Sequence, residues 1–213
     1  MFVKSLLAAL LAAIPFWGAE PLPGLRIQPV GGGSIFYVKN NAAQPLTGYL
    51  IELVDYPGSY YALWQDDLTA PIEPGMEKKV PVNNMIVGAA PDYVKIDAAI
   101  FADGSSAGVP EKVMMFLERR RAKLAIYREL EQRLQKAQAE GTAKDAVIAD
   151  LKEWADSLEP KGKNRTSQAA VNAMASHDAV ANAAAALGTH TVAEELAAVR
   201  MDELALAASK PAL

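Results

Sequence analysis

Two hydrophobic periodicities divide the chain, with the change near Val109. Between Leu25 and Gly108, short runs rich in β-branched and aromatic residues alternate with Gly, Pro, Asn and Asp at intervals of about 8 to 12 residues, as in an all-β sandwich or barrel. Strands are predicted at 25–30, 34–40, 46–54, 60–65, 78–82 and 93–102. Asn40-Asn41 and Pro45 place a turn between the second and third, which suggests a hairpin. Pro74-Gly75 and Asp103-Gly104 punctuate the later strands.

From Val109 the period becomes helical. Pro110 suits a first helical position, and Val113, Phe116, Leu117, Leu124, Tyr127, Leu130 and Leu134 recur at helical spacing up to Gly141. The Val113, Phe116 and Leu117 stripe is expected to lie on the β half, with the helix extending beyond it. Thr142 with Asp145 resembles a capping box, and Val147, Leu151, Trp154 and Leu158 form a second stripe ended by Pro160, so a helical hairpin is expected. A polar hinge, Lys161 to Arg165, precedes an alanine-rich helix over 166–187, and Thr191 with Glu194 caps a last one. Alanine buries little surface, so these last helices must pack closely or fray.

The expected organisation is therefore α+β by segregation. It comprises a signal peptide at 1–19, a sandwich of immunoglobulin or fibronectin-III type at 24–108, a long helix plus a second helix at 109–160, and an alanine-rich helical tail at 161–213. The signal peptide is read from Lys4 and the apolar run Leu6 to Trp17, which at about 12 residues is too short for a permanent membrane span of roughly 20. Cleavage after Ala19 leaves Trp17 at position −3, where a small residue is preferred, so the cut itself stays open. The segment predicts a secreted or periplasmic protein with no transmembrane segment after cleavage.

The segments KNNAAQPLTGYLIEL, PIEPGMEKKV and VKIDAAIFADGSSAG, followed by a helix, resemble the β-sandwich of uncharacterised secreted bacterial proteins with an immunoglobulin-like domain. That resemblance implies a fold and a compartment, and no activity.

Composition narrows the chemistry. A net charge of −4 gives no general electrostatic reason to bind nucleic acid, and the absence of Cys excludes disulfides, thiolate metal sites and a cysteine nucleophile. Two His leave little material for a zinc centre, and no cofactor is implied. Ser176-His177-Asp178 holds triad residue types, but consecutive helical residues point about 100° apart and do not converge. No catalytic residue is therefore assigned. Asp66, Asp67, Asp92 and Asp103 offer oxygen ligands for calcium if they meet at one end of the sandwich, although no D-x-D-x-D-G loop is present, so no metal site is assigned.

Two segments are candidates for binding. Tyr56 to Trp64 is aromatic, and Tyr60, Tyr61 and Trp64 offer flat surfaces with polar handles for a glycan or peptide, the alternative being burial in a core. Arg119, Arg120, Arg121 and Lys123 form a basic run on the long helix that can meet anionic lipid head groups or an acidic partner, dock on the acidic β half or simply be solvated. Asn164-Arg165-Thr166 is a glycosylation sequon, relevant only in a eukaryotic secretory route. The expectation is a non-enzymatic interaction module with an unknown protein partner, the alternative being a glycan- or peptide-binding module. The sequence does not fix its oligomeric state.

Overall fold

A computed structural model of the protein describes residues 20–53, 61–83, 94–160 and 165–213; the expected signal peptide, Tyr56, Tyr60, Asp92 and Asn164 lie outside them. The described residues form strands β1 (Gly24–Val30), β2 (Gly33–Lys39), β3 (Leu46–Leu53), β4 (Tyr61–Asp66), β5 (Glu77–Asn83), β6 (Val94–Phe101) and β7 (Ser106–Gly108). Helices α1 (Pro110–Glu140), α2 (Lys144–Leu158), α3 (Gln168–Ala186) and α4 (Val192–Ala207) follow. The result is an α+β fold in which antiparallel strands precede helices. Strand β7 escaped the sequence pattern because three residues are too few to show an alternation.

The strands form two sheets, ordered β1-β2-β5 and β4-β3-β6-β7. The hairpin expected between β2 and β3 does not form, since β2 pairs with β1 and β5 while β3 pairs with β4 and β6. Asn40 is the reason. Its buried side chain donates to the carbonyls of Gln44 and Ile72, each at 2.8 Å, and accepts from the Ala42 N–H at 3.0 Å. These bonds satisfy the polar groups of a connection that carries the chain from one sheet to the other instead of turning it back.

Phe36, Val38, Val80 and Val82 of the first sheet share one core with Tyr49, Ile51, Ile96, Ala99 and Phe101 of the second. The second sheet is also covered on its other face, where Leu50, Ala98 and Ile100 pack against Phe116 and Leu117 of α1. Burial on both faces explains why the middle of β3, Tyr49 to Ile51, and the end of β6, Ala98 to Phe101, are continuous apolar runs. The register of β3 against β6 shifts between Leu46 and Gly48 and again between Leu50 and Ile51, which leaves Thr47 and Asp97 as extra residues in the ladder.

α1 begins with Pro110 at its first position and ends at Gly141, whose φ of 64° needs no side chain to be accommodated. Its first half lies on the sheet, as the Val113, Phe116 and Leu117 stripe predicts. Its second half contributes Leu130 and Leu134 to a separate core with Leu151, Val180, Leu187, Leu196 and Val199. The close helix pairs are α1 with α4, α1 with α3 and α2 with α3, so the near partner of α2 is α3 and not the preceding helix. Buried Ala175, Ala179, Ala183 and Ala184 keep α3 thin enough to pack closely against both α1 and α2.

The Thr191 capping box is formed on α4, and the Ser167 side chain caps α3 by accepting from the Ala170 N–H. The box expected at Thr142 is absent. The Thr142 N–H closes the end of α1 by donating to the Ala137 carbonyl at 2.9 Å, and α2 starts after Ala143 without a side-chain cap.

Candidate functional site

The basic run faces the sheet. On β4, alternation places Ala62, Trp64 and Asp66 toward α1, while Tyr61 and Leu63 turn to the core between the sheets. Asp66 therefore meets three cations of the helix. Arg120 Nε donates to its Oδ1 at 2.7 Å, and its Oδ2 accepts from Arg119 Nη1 at 3.1 Å and Lys123 Nζ at 3.3 Å. Arg120 is wholly buried and also donates from Nη2 to the Thr47 carbonyl at 3.0 Å, the bulged residue of β3.

Burial alone would raise the Asp66 carboxyl; Lys123, Arg120 and Arg119 outweigh it and hold it below the ordinary carboxylate range. Arg121 points outward and pairs with Glu118 on its own helix. Of the four basic residues proposed to meet a partner, three are thus engaged within the fold, and Arg121 remains on the surface.

Gly48 makes this contact feasible. A Cβ there would lie 2.6 Å from Arg120 Nη2 and 2.8 Å from the Phe116 ring, so the helix can approach β3 only because the strand carries no side chain at this point.

Trp64 sits beside the hub, half-buried, with its ring tilted 55° to that of Phe116 at a centroid distance of 5.6 Å. One side of it lines a cavity of about 290 Å3 between β4 and α3. Arg119, Arg165, Met174 and Asp178 also line this cavity. Trp64 and Arg119, drawn from the two separate candidate segments, are brought together here. Tyr61 is not part of the cavity, since its ring packs edge-on to Phe36 at 6.4 Å on the opposite face of the sheet. Arg165 and Met174 were missed because their proximity to Trp64 is tertiary; the only signal was the cationic hinge ending at Arg165.

A second polar cluster lies along the same junction. Glu52 of β3 is buried and holds Lys112 of α1 at 2.8 Å, and the carboxyl of the bulged Asp97 hydrogen-bonds with Glu52. Burial raises the Asp97 carboxyl, the hydrogen bond and charge of Glu52 raise it further, and Lys112 and Lys95 oppose them.

Three of the four aspartates weighed as calcium ligands have partners within the fold, and Asp92 lies outside the described residues. Asp66 is taken by cations of α1, Asp67 by Lys78, and Asp103 accepts from the backbone N–H and hydroxyl of Ser105. Among the described residues no group of three or more His, Asp or Glu side chains is placed to hold a metal ion. His177 Nδ1 lies 3.0 Å from its neighbour Asp178, and His190 Nδ1 lies 2.9 Å from Glu195 at the start of α4. Ser176 is buried in the face of α3, so the three consecutive residues do not form a catalytic constellation.

Among the described residues no helix is long and apolar enough to cross a membrane. Neither family models, curated proteins nor solved structures provide a match to this chain.

Proposed function

We propose that the chain is an exported, non-enzymatic protein-interaction module, built on an immunoglobulin-like sandwich with a helical layer, whose contact site is the cavity between β4 and α3. The observation that carries this is the meeting of an aromatic face, Trp64, with the guanidinium-bearing Arg119 and Arg165 around one concavity. Aromatic and Arg side chains in a recess are the groups that dominate binding energy at protein interfaces. The peptide- or glycan-binding alternative uses the same place, through Trp64 of the aromatic segment. Export rests on the charged start and short apolar run of the first residues.

Two measurements test this function. Cell fractionation with N-terminal sequencing of the recovered protein is expected to find it outside the cytoplasm and shortened near residue 19. A photo-crosslinking amino acid at Met174 is expected to capture a partner at one-to-one stoichiometry, read by mass spectrometry, and the Trp64→Ala variant is expected to lose that capture while still melting cooperatively. Partners captured only from a crosslinker at the exposed Met201 of α4 would move the interface to the other side of the helical layer.

A further inference from the structure

The cavity lies against the edge of a strand. β4 is the end strand of its sheet, and three consecutive residues, Ala62, Leu63 and Trp64, line the cavity. Side chains of consecutive strand residues point to opposite faces, so a surface touched by all three runs along the strand edge. The ladder shows which backbone groups face that edge. The Asp67 N–H donates to the Thr47 carbonyl at 2.8 Å, and the pairing continues in register through Tyr49 with Gln65 and Ile51 with Leu63. In an antiparallel pair the bonded residues alternate, so Leu63 and Gln65 turn their backbone groups to β3, and Ala62 and Trp64 turn theirs outward to the cavity. Among the described residues no strand pairs with that edge.

Two guanidinium groups, Arg119 and Arg165, line the cavity together with the carboxylate of Asp178, which bears on Arg119. Arg165 is exposed and makes no hydrogen bond or ion pair among the described residues. Arg119 shares Asp66 with two other cations, and burial works against its charge more than Asp66 and Asp178 offset it. The surplus of guanidinium over carboxylate among these lining residues suits a carboxylate ligand, which accepts from planar N–H pairs. Trp64, Met174 and Pro160 provide apolar wall beside them.

We propose that this cavity receives an extended peptide that adds to the outer edge of β4 and seats a carboxylate between Arg119 and Arg165. This assignment rests on the cavity being the contact site of the proposed function and takes the peptide reading of it. Strand addition gives affinity through the outward backbone groups of Ala62 and Trp64, and the recess gives selectivity through one seated residue. A volume of 290 Å3 is at the small end of ligand sites, which run from about 300 to 1,000 Å3, and suits one or two residues and not a folded surface. A free strand edge favours a peptide over an acidic sugar, which cannot continue a ladder.

The carboxylate can be a chain terminus or an Asp or Glu side chain, and the experiment separates them. Two randomised heptapeptide libraries, one with free C-termini and one amidated, are selected on the purified chain, and enriched peptides are titrated into 15N-labelled protein. Enrichment confined to the free-acid library identifies a terminus; enrichment of Asp or Glu in the amidated library identifies a side chain. Either supports the proposal if the Ala62 and Trp64 amides shift and if neutralising the carboxylate weakens binding at least tenfold. The Arg165→Gln variant is expected to remove that tenfold preference without changing Tm, because Arg165 has no partner among the described residues.

Equal affinity for neutral peptides at the same amides would overturn the carboxylate assignment and leave the interaction site standing. Failure of both libraries to enrich, or shifts that spare Ala62 and Trp64, would overturn strand addition, whereas the Met174 crosslink decides the interaction function separately. Tighter binding of oligogalacturonate than of any selected peptide would also overturn it, in favour of an acidic glycan.

Discussion

The two polar clusters beneath α1 have opposite charge imbalances. At one, three cations surround the single carboxylate of Asp66; at the other, the carboxyls of Glu52 and Asp97 share Lys112. They lie on the same sheet face and join the same two elements, yet their chemistry differs in what the surplus groups can do. A guanidinium does not release its proton in a protein, so a surplus of Arg persists as charge. A carboxyl can take up a proton and become neutral, so a surplus of acids adjusts itself. The first cluster is thus a fixed anchor that leaves unspent positive charge beside the cavity, and the second is a clasp whose charge follows pH.

The largest effect is expected from Asp66→Asn. It removes the counter-charge of a wholly buried Arg120 and leaves that guanidinium with little beyond the Thr47 carbonyl. Breaking a buried pair in this way costs about 3–5 kcal/mol. Urea unfolding at pH 7 measures it, and a loss below about 1 kcal/mol would show that the anchor is not a buried pair at all.

Gly48→Ala comes next. The added methyl meets the Phe116 ring and Arg120 at the same anchor, and overpacking of this kind costs about 1–3 kcal/mol. It should also weaken the protection of α1 amides from hydrogen exchange near Phe116 more than near Leu130. Lys112→Met at the clasp is expected to cost less, about 1–2 kcal/mol, because the Asp97 carboxyl, already raised and no longer opposed by Lys112, can take up a proton. An equal loss for Lys112→Met and Asp66→Asn would erase the contrast between the clusters.

The unequal legibility of these regions has a physical cause. Strands and helices were readable because their signals are local: alternation in β4, Gly141 at the end of α1, the Thr191 and Glu194 box. The Asp66 anchor joins residues 53 to 57 positions apart, and in sequence Asp66-Asp67 looks like a pair of turn acids while Arg119 to Lys123 looks like a solvated stripe. Gly48 inside an apolar run carries the one local hint, since glycine in a strand interior often marks close approach of another element. The β2 to β3 hairpin failed for a related reason. Turn residues signal a change of direction, but the two buried carbonyls bound by Asn40 decide which sheet the chain enters next, and Ile72 is remote in sequence.

The smallest effect, and the one that tests the clasp most directly, is that of Asp97→Asn. The Asp97 carboxyl is raised in the fold, first by burial and then by Glu52, so the folded state holds its proton more tightly than the unfolded chain does. Its contribution to stability is therefore complete below the ordinary carboxylate pKa and is lost as pH rises through the raised value. Asp66 behaves in the opposite sense, because its lowered carboxyl contributes above the ordinary range and its contribution disappears as pH falls through the depressed value. Asp97 is only partly buried, and solvent screening limits the relief from removing its charge at pH 7 to about 0.5 kcal/mol. The profile is more informative than the magnitude. Unfolding free energies of the wild type and Asp97→Asn measured from pH 3 to 8 are expected to converge at acidic pH and separate, with the variant more stable, as pH rises above the carboxylate range. Parallel profiles across that interval would mean that the Asp97 carboxyl is not raised in the fold, and the two clusters would then differ in composition but not in their response to pH.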